Sequence, residues 1–302
     1  MRNLGNQLIF VILLLAGITY KSKAQDQEPA AYAVDATYNL HHTQKDSTSL
    51  VFVNMAYIRE EPTAKSNLID SIPLGTPVKF LDEDGLNATS IRGMYLPWYK
   101  IEYQLNNTKK TGYIWLGLLS IDSKIDPKSG NKFLYGYAWK SEDEYGNYYW
   151  VEAKALDKNK QLISSISFPY YPGEQSYSYS EIVENDGLPN TKFLYSIKFL
   201  GEACGIGSED NMFAWNGQNF TALPKTVSVS DAGVYYYGEE LVLPNQHKQG
   251  KDIILKLTEQ GKTEDYDEVE SLEELEFTII KTEETYQWNG TSYKKIGVKT
   301  IK

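Results

Sequence analysis

The chain has 302 residues, 41% of them hydrophobic and 23% charged. That is the composition of a globular protein long enough for two cores, and it argues against both a disordered chain and a membrane-spanning one. A net charge of −10 argues against nucleic acid, whose binding depends on Lys and Arg neutralising phosphates, and equally against a polybasic membrane contact.

Tyrosine is the compositional outlier, with 24 copies against 10 Phe and 6 Trp. Such aromatics favour pleated, half-buried surfaces, so an all-β fold is expected. Residues 1–24 read as a secretory signal peptide: Arg2 gives a positive start, 8–18 is apolar apart from Gly17, and Ser22-Lys23-Ala24 fits a small-x-small cleavage site. The apolar run is too short for a membrane anchor. The expected product begins at Gln25 and is periplasmic or secreted. With no lipobox cysteine near the cleavage site, it is expected not to insert in a membrane after cleavage.

Residues 25–48 form a leader without sustained periodicity, carrying His41-His42. Neighbours in a strand point to opposite faces, and no Cys or carboxylate cluster lies nearby, so no metal site is expected there.

From 49 to 122 residue order becomes informative. Ala56-Tyr57-Ile58-Arg59-Glu60-Glu61-Pro62 is followed by Leu68-Ile69, by Leu74-Gly75-Thr76-Pro77-Val78, by Trp98-Tyr99-Lys100-Ile101 and by Gly112-Tyr113-Ile114-Trp115. Glu61-Pro62 breaks one strand, Pro73-Leu74-Gly75 forces a turn, and Asp82-Glu83-Asp84-Gly85 signals another loop. Residues 86–96 exceed a tight turn and read as an insertion that shapes a groove.

This order resembles the bacterial SH3 domain, a small bent β-barrel. The chain departs from the family's pattern at Tyr57, where Asn is usual, and at Tyr113, where Trp is usual. The resemblance implies a shallow aromatic groove for short peptides, including those of the cell wall, with Tyr57, Trp98 and Trp115 as binding candidates. The competing reading packs Trp98, Tyr99, Tyr113 and Trp115 into the barrel's core and rim, since aromatics mainly supply packing area.

Asp126-Pro127-Lys128-Ser129-Gly130-Asn131 interrupts the pattern, so 123–131 reads as a linker and 132–302 as a Tyr-rich β-repeat domain. Lys132-Phe133-Leu134-Tyr135 recurs as Lys192-Phe193-Leu194-Tyr195, and Trp215-Asn216-Gly217 recurs as Trp288-Asn289-Gly290. Asn-Gly between β-like runs signals a two-residue hairpin loop, which sets Phe213 opposite Phe220 and Tyr286 opposite Tyr293. Repeats ending this way weakly resemble secreted β-propeller-like blades. The expected domain is antiparallel β, propeller-like or a sandwich.

No cofactor is expected. Glu142-Asp143-Glu144-Tyr145-Gly146-Asn147 lacks the alternate-residue spacing of a calcium loop. The stretch 259–276 holds nine acids against one Lys and reads as a solvated connection. Cys204 sits in Gly-interrupted, acidic sequence without the helix start or ordered His of a thiol nucleophile, and the only downstream histidine is His247. The sequence therefore reads as an exported, non-catalytic binding protein for a cell-wall peptide or envelope protein. The alternative is a cell-wall hydrolase, using Cys204 with His247 or a carboxylate pair.

Overall fold

The structure, a computed structural model, describes residues 41–143, 146–170, 176–201, 204–231, 234–263 and 276–301. Residues 1–40, with the expected signal peptide, and most of the acidic stretch lie outside these residues. Regular alternation of apolar and polar side chains is answered throughout by strands, and every ladder is antiparallel.

The first sheet contains β1 (Thr48–Leu50), β2 (Met55–Arg59), β3 (Leu68–Pro73), β4 (Pro77–Phe80), β5 (Leu86–Ile91), β6 (Met94–Leu105) and β7 (Thr108–Trp115). Its order is β1-β4-β6-β7-β2-β3, with β5 paired to β6. On β2, Ala56 and Ile58 are buried, which turns Met55 and Tyr57 outward. The expected groove-shaping insertion is instead β5, folded back on the long β6.

A four-stranded sheet follows, in the order β11-β10-β9-β8, from β8 (Asp122–Ile125), β9 (Lys132–Asp143), β10 (Gly146–Leu156) and β11 (Leu162–Tyr170). Residues 123–131, read from the sequence as a linker, form the rest of β8 and its turn into β9. Asp126 closes that turn, its carboxylate accepting hydrogen bonds from the amides of Lys128 and Ser129 and from the Ser129 hydroxyl.

The remaining strands form one nine-stranded sheet: β12 (Ser176–Val183), β13 (Phe193–Gly201), β14 (Ser208–Trp215), β15 (Phe220–Ala222), β16 (Thr226–Asp231), β17 (Tyr235–Val242), β18 (Ile253–Lys262), β19 (Thr278–Trp288) and β20 (Tyr293–Ile301). Of the two expected architectures, this continuous sheet facing a four-stranded one is a sandwich and not a ring of separate blades. Phe133 of β9 lies between the layers, with the rings of Phe193, Tyr195, Trp215 and Phe220 around it at 5.1–5.9 Å. Tyr170 of β11 stacks on Phe199 of β13 at 3.8 Å. A second core on the other face joins Leu194 and Ala214 to Ile254, Tyr286 and Trp288, so the far strands of the large sheet curl back over the near ones.

The same apolar core runs from the first sheet into the sandwich. A smaller cluster of Leu50, Phe52, Leu74, Leu134 and Leu156 seals the junction. There the Lys154 ammonium, buried with its alkyl stem, donates to the Phe52 carbonyl at 2.9 Å and lies 4.1 Å from the Phe52 ring centroid, with Glu152 as its counter-ion at 3.1 Å. Gly136 lies close under the Phe52 ring, where a Cβ would meet the ring tightly at 3.1 Å.

Both Asn-Gly hairpins form, but with four-residue loops. Trp215 faces Phe220 and Trp288 faces Tyr293, two residues from the expected register. The cause is the Asn side chain: Oδ1 of Asn216 accepts from the amides of Gln218 and Asn219, and Oδ1 of Asn289 accepts from those of Thr291 and Ser292. Gly217 and Gly290 take positive φ within these loops. The loops are thus chemical copies, and aromatic contacts survive the shift, Trp215 with Phe220 and Tyr286 with Tyr293. Asn216→Ala is expected to cost about 1 kcal/mol in urea denaturation, whereas Asn216→Asp, which keeps the acceptor, stays near wild type. Equal losses in the two variants would show that the side-chain acceptor is not what holds the loop.

Candidate functional site

Three sequence-predicted binding residues fall in two different environments. Trp98 and Trp115 are directly opposed across β6 and β7, yet are only 3% and 0% exposed. Their indole N–H groups are satisfied internally. Trp98 Nε1 donates to Thr89 Oγ1 at 3.0 Å, and Trp115 Nε1 donates to the carbonyls of Leu96 at 2.9 Å and Thr89 at 3.1 Å. β5 supplies Thr89 and so removes both tryptophans from any groove; they are core. Gly117 folds against the Trp115 ring, where a Cβ would overlap it.

Tyr57 is different, being 51% exposed and not gathered with the two tryptophans. It faces Ser71 of β3, and Met55 faces Pro73. A bulge after Ile58 pairs Arg59 with Leu68, leaving Leu68 and Ile69 exposed at the start of β3. The intervening turn is fixed by Arg59 Nη1 donating to the Ser66 carbonyl, by the Glu61 amide on Ser66 Oγ, and by Asn67 Nδ2 on Glu60. β3 ends its sheet, so its outer main-chain groups have no neighbouring strand among the described residues.

Met55, Tyr57, Leu68 and Ile69 are therefore exposed apolar residues of an open-edged hairpin, with Met55 and Tyr57 on one face and Ile69 beside Ile58 and Gly112. Its polar flank is Asp70, which accepts from the Tyr103 hydroxyl at 2.6 Å and from Lys110 at 3.0 Å. These bonds, the tyrosine's first, hold the Asp70 carboxyl below the usual carboxylate range. Tyr113 is half-buried and pairs with Arg59 across β7 and β2. Of these four residues, sequence reading singled out only Tyr57 as a binding candidate. Met55 was findable from its alternation with Ala56 and Ile58, but the exposure of Leu68 and Ile69 depends on the bulge.

Cys204 and His247, the alternative thiol pair, are not brought together among the described residues. Cys204 is exposed in a shallow depression bordered by Ile206, Ser208, Ser230 and Tyr236, with no histidine in its lining. Both nitrogens of His247 are engaged, Nε2 with the Ile253 carbonyl at 3.0 Å and Nδ1 with the Gln249 amide at 3.1 Å. His42 bonds the Ser178 carbonyl, and His41 is buried against Tyr137. Among the described residues no group of three or more His, Cys, Asp or Glu is placed to hold a metal, and no helix is long and apolar enough to cross a membrane.

Residues 54–120 match the family model of the bacterial SH3 domain. This is a bacterial SH3 domain within an all-β chain, followed by a large antiparallel sheet region. No curated protein matches the chain.

Proposed function

We propose that this is an exported, non-catalytic binding protein whose SH3 domain holds a peptide or another cell-envelope component, with peptidoglycan as the target class. The reading is carried by the open edge of β3 and the exposed apolar residues Met55, Tyr57, Leu68 and Ile69 of its hairpin. An extended peptide added to such an edge gains main-chain hydrogen bonds, and its alternate side chains meet the exposed apolar residues on either face. Trp98 and Trp115 contribute packing that ties β5, β6 and β7 together. The absence of catalysis is supported by an exposed Cys204 whose depression has no histidine and by a His247 ring with both nitrogens engaged.

The test is retention of the protein on purified peptidoglycan. Tyr57→Ala combined with Leu68→Ser removes two half-exposed side chains, so with folding checked by urea denaturation, retention is expected to fall about tenfold, equivalent to ~1.4 kcal/mol. Unchanged retention sinks the β3 site. Release of soluble fragments that disappears in Cys204→Ser, with the fold intact, would replace binding by hydrolysis.

A further inference from the structure

The four-stranded sheet ends at β8 and the nine-stranded sheet ends at β12, and these two edges face each other without joining in a ladder. One staple holds them: Asp122 Oδ2 accepts from both the amide and the hydroxyl of Ser180, each at 2.9 Å. Beyond the staple the edges part around a cavity of about 850 Å³. Its apolar lining includes Ile125, Ile182, Val183 and Phe193.

Main-chain direction follows from the bonds already made. The Ser180 amide points away from β13 to reach Asp122, and alternation along a strand aims the N–H and C=O of Ile182 the same way, into the cavity. Across the gap, the Asp126 amide is bonded to the Asn131 carbonyl within the β8–β9 hairpin, so those of its neighbour Ile125 face outward. No described residue bonds the main chain of Ile182, and the Ile125 side chain is 59% exposed. The charges are uneven. Asp126 is consumed by its own turn and Glu181 pairs with Lys198 at 2.6 Å, leaving exposed Lys128 and Lys192 against Glu184.

We propose that this cleft is a second binding site, taking an extended apolar peptide that inserts as a strand between Ile125 and Ile182 and sets a carboxylate against Lys128 and Lys192. Two facing edges offer a guest strand hydrogen bonds on both sides, which a single open edge does not. The site is separate from β3 and does not depend on the reading of that edge.

The probe is the hexapeptide acetyl-Thr-Val-Thr-Val-Thr-Val with a free C-terminal carboxylate, titrated into ¹⁵N-labelled protein. Saturable shifts are expected at the amides of Ile125 and Ile182. About tenfold weaker binding is expected for the C-terminal amide form and for the Lys128→Glu, Lys192→Glu double variant, whose melting temperature should match wild type. A peptide N-methylated at alternate residues should not bind. Shifts confined to Leu68–Pro73 would assign peptide capture to β3 and overturn the cleft, as would equal binding of the N-methylated probe. No saturable binding, or full affinity in the lysine double variant, likewise overturns the proposal.

Discussion

Phe133→Ala is expected to lower the unfolding free energy by about 3–5 kcal/mol, the range for emptying a buried phenylalanine site in a core that cannot collapse. Phe133 is fully buried where the two layers of the sandwich meet, and four aromatic rings from β13, β14 and β15 close on it. Three of those rings sit on β13 and β14, which are paired on both sides, so they have little freedom to fill the space. A globular protein has only about 5–15 kcal/mol to lose, and the variant is expected to be near the limit of folding. Phe133→Leu, which keeps most of the volume, should lose far less. Urea denaturation of the two variants decides the matter, and a loss below ~1 kcal/mol for alanine would mean that the layers repack freely.

The second large effect is acid sensitivity centred on His41. Burial pushes its pKa from 6.5 down to about 3, with the neighbouring His42 charge acting in the same direction. Between those values the unfolded chain binds a proton that the folded protein refuses, so stability falls as pH falls, by ~1.4 kcal/mol per pH unit. From pH 6.5 to 4.5 the loss amounts to about 2–3 kcal/mol. Asp210 works in the opposite sense, because burial raises its carboxyl pKa and its folded form takes up a proton more readily as pH falls. In His41→Phe, which keeps a ring beside Tyr137, the slope from His41 should vanish, leaving the opposite one of Asp210 and, at lower pH, the loss from carboxylates held low such as Asp70 and Asp126. A steep acid slope that persists in His41→Phe would move the cause elsewhere.

Strand positions in the SH3 domain were legible because Ala56, Ile58 and Ile101 are buried between more exposed neighbours, and a one-residue slip would have exposed them all. The fate of the tryptophans was not. Whether Trp98 and Trp115 line a groove or fill a core depends on where an inserted segment folds, and only the pairing of β5 on β6 shows that Thr89 receives both indoles. The hairpin register failed for a local reason: Asn followed by Gly suits a two-residue loop and equally a four-residue loop closed by the Asn side chain. The cleft had no local signal at all. Its walls come from β8 and β12, which are brought together by one carboxylate on a serine far along the chain.

The seal around Phe52 sets an order on biogenesis. Leu50, Phe52 and Leu74 are made early, while the residues that cover them, Leu134, Lys154 and Leu156, follow only with β9 and β10. A nascent chain that has completed the SH3 domain but not the hairpin of β9 and β10 therefore carries a sticky apolar face with nothing to occupy it. Such half-made species are what chaperones capture and what aggregates when they are absent. Chains truncated between residues 122 and 131 should remain in that condition permanently, so the compact SH3 domain is expected to be poorly soluble when cut from the strands that follow it.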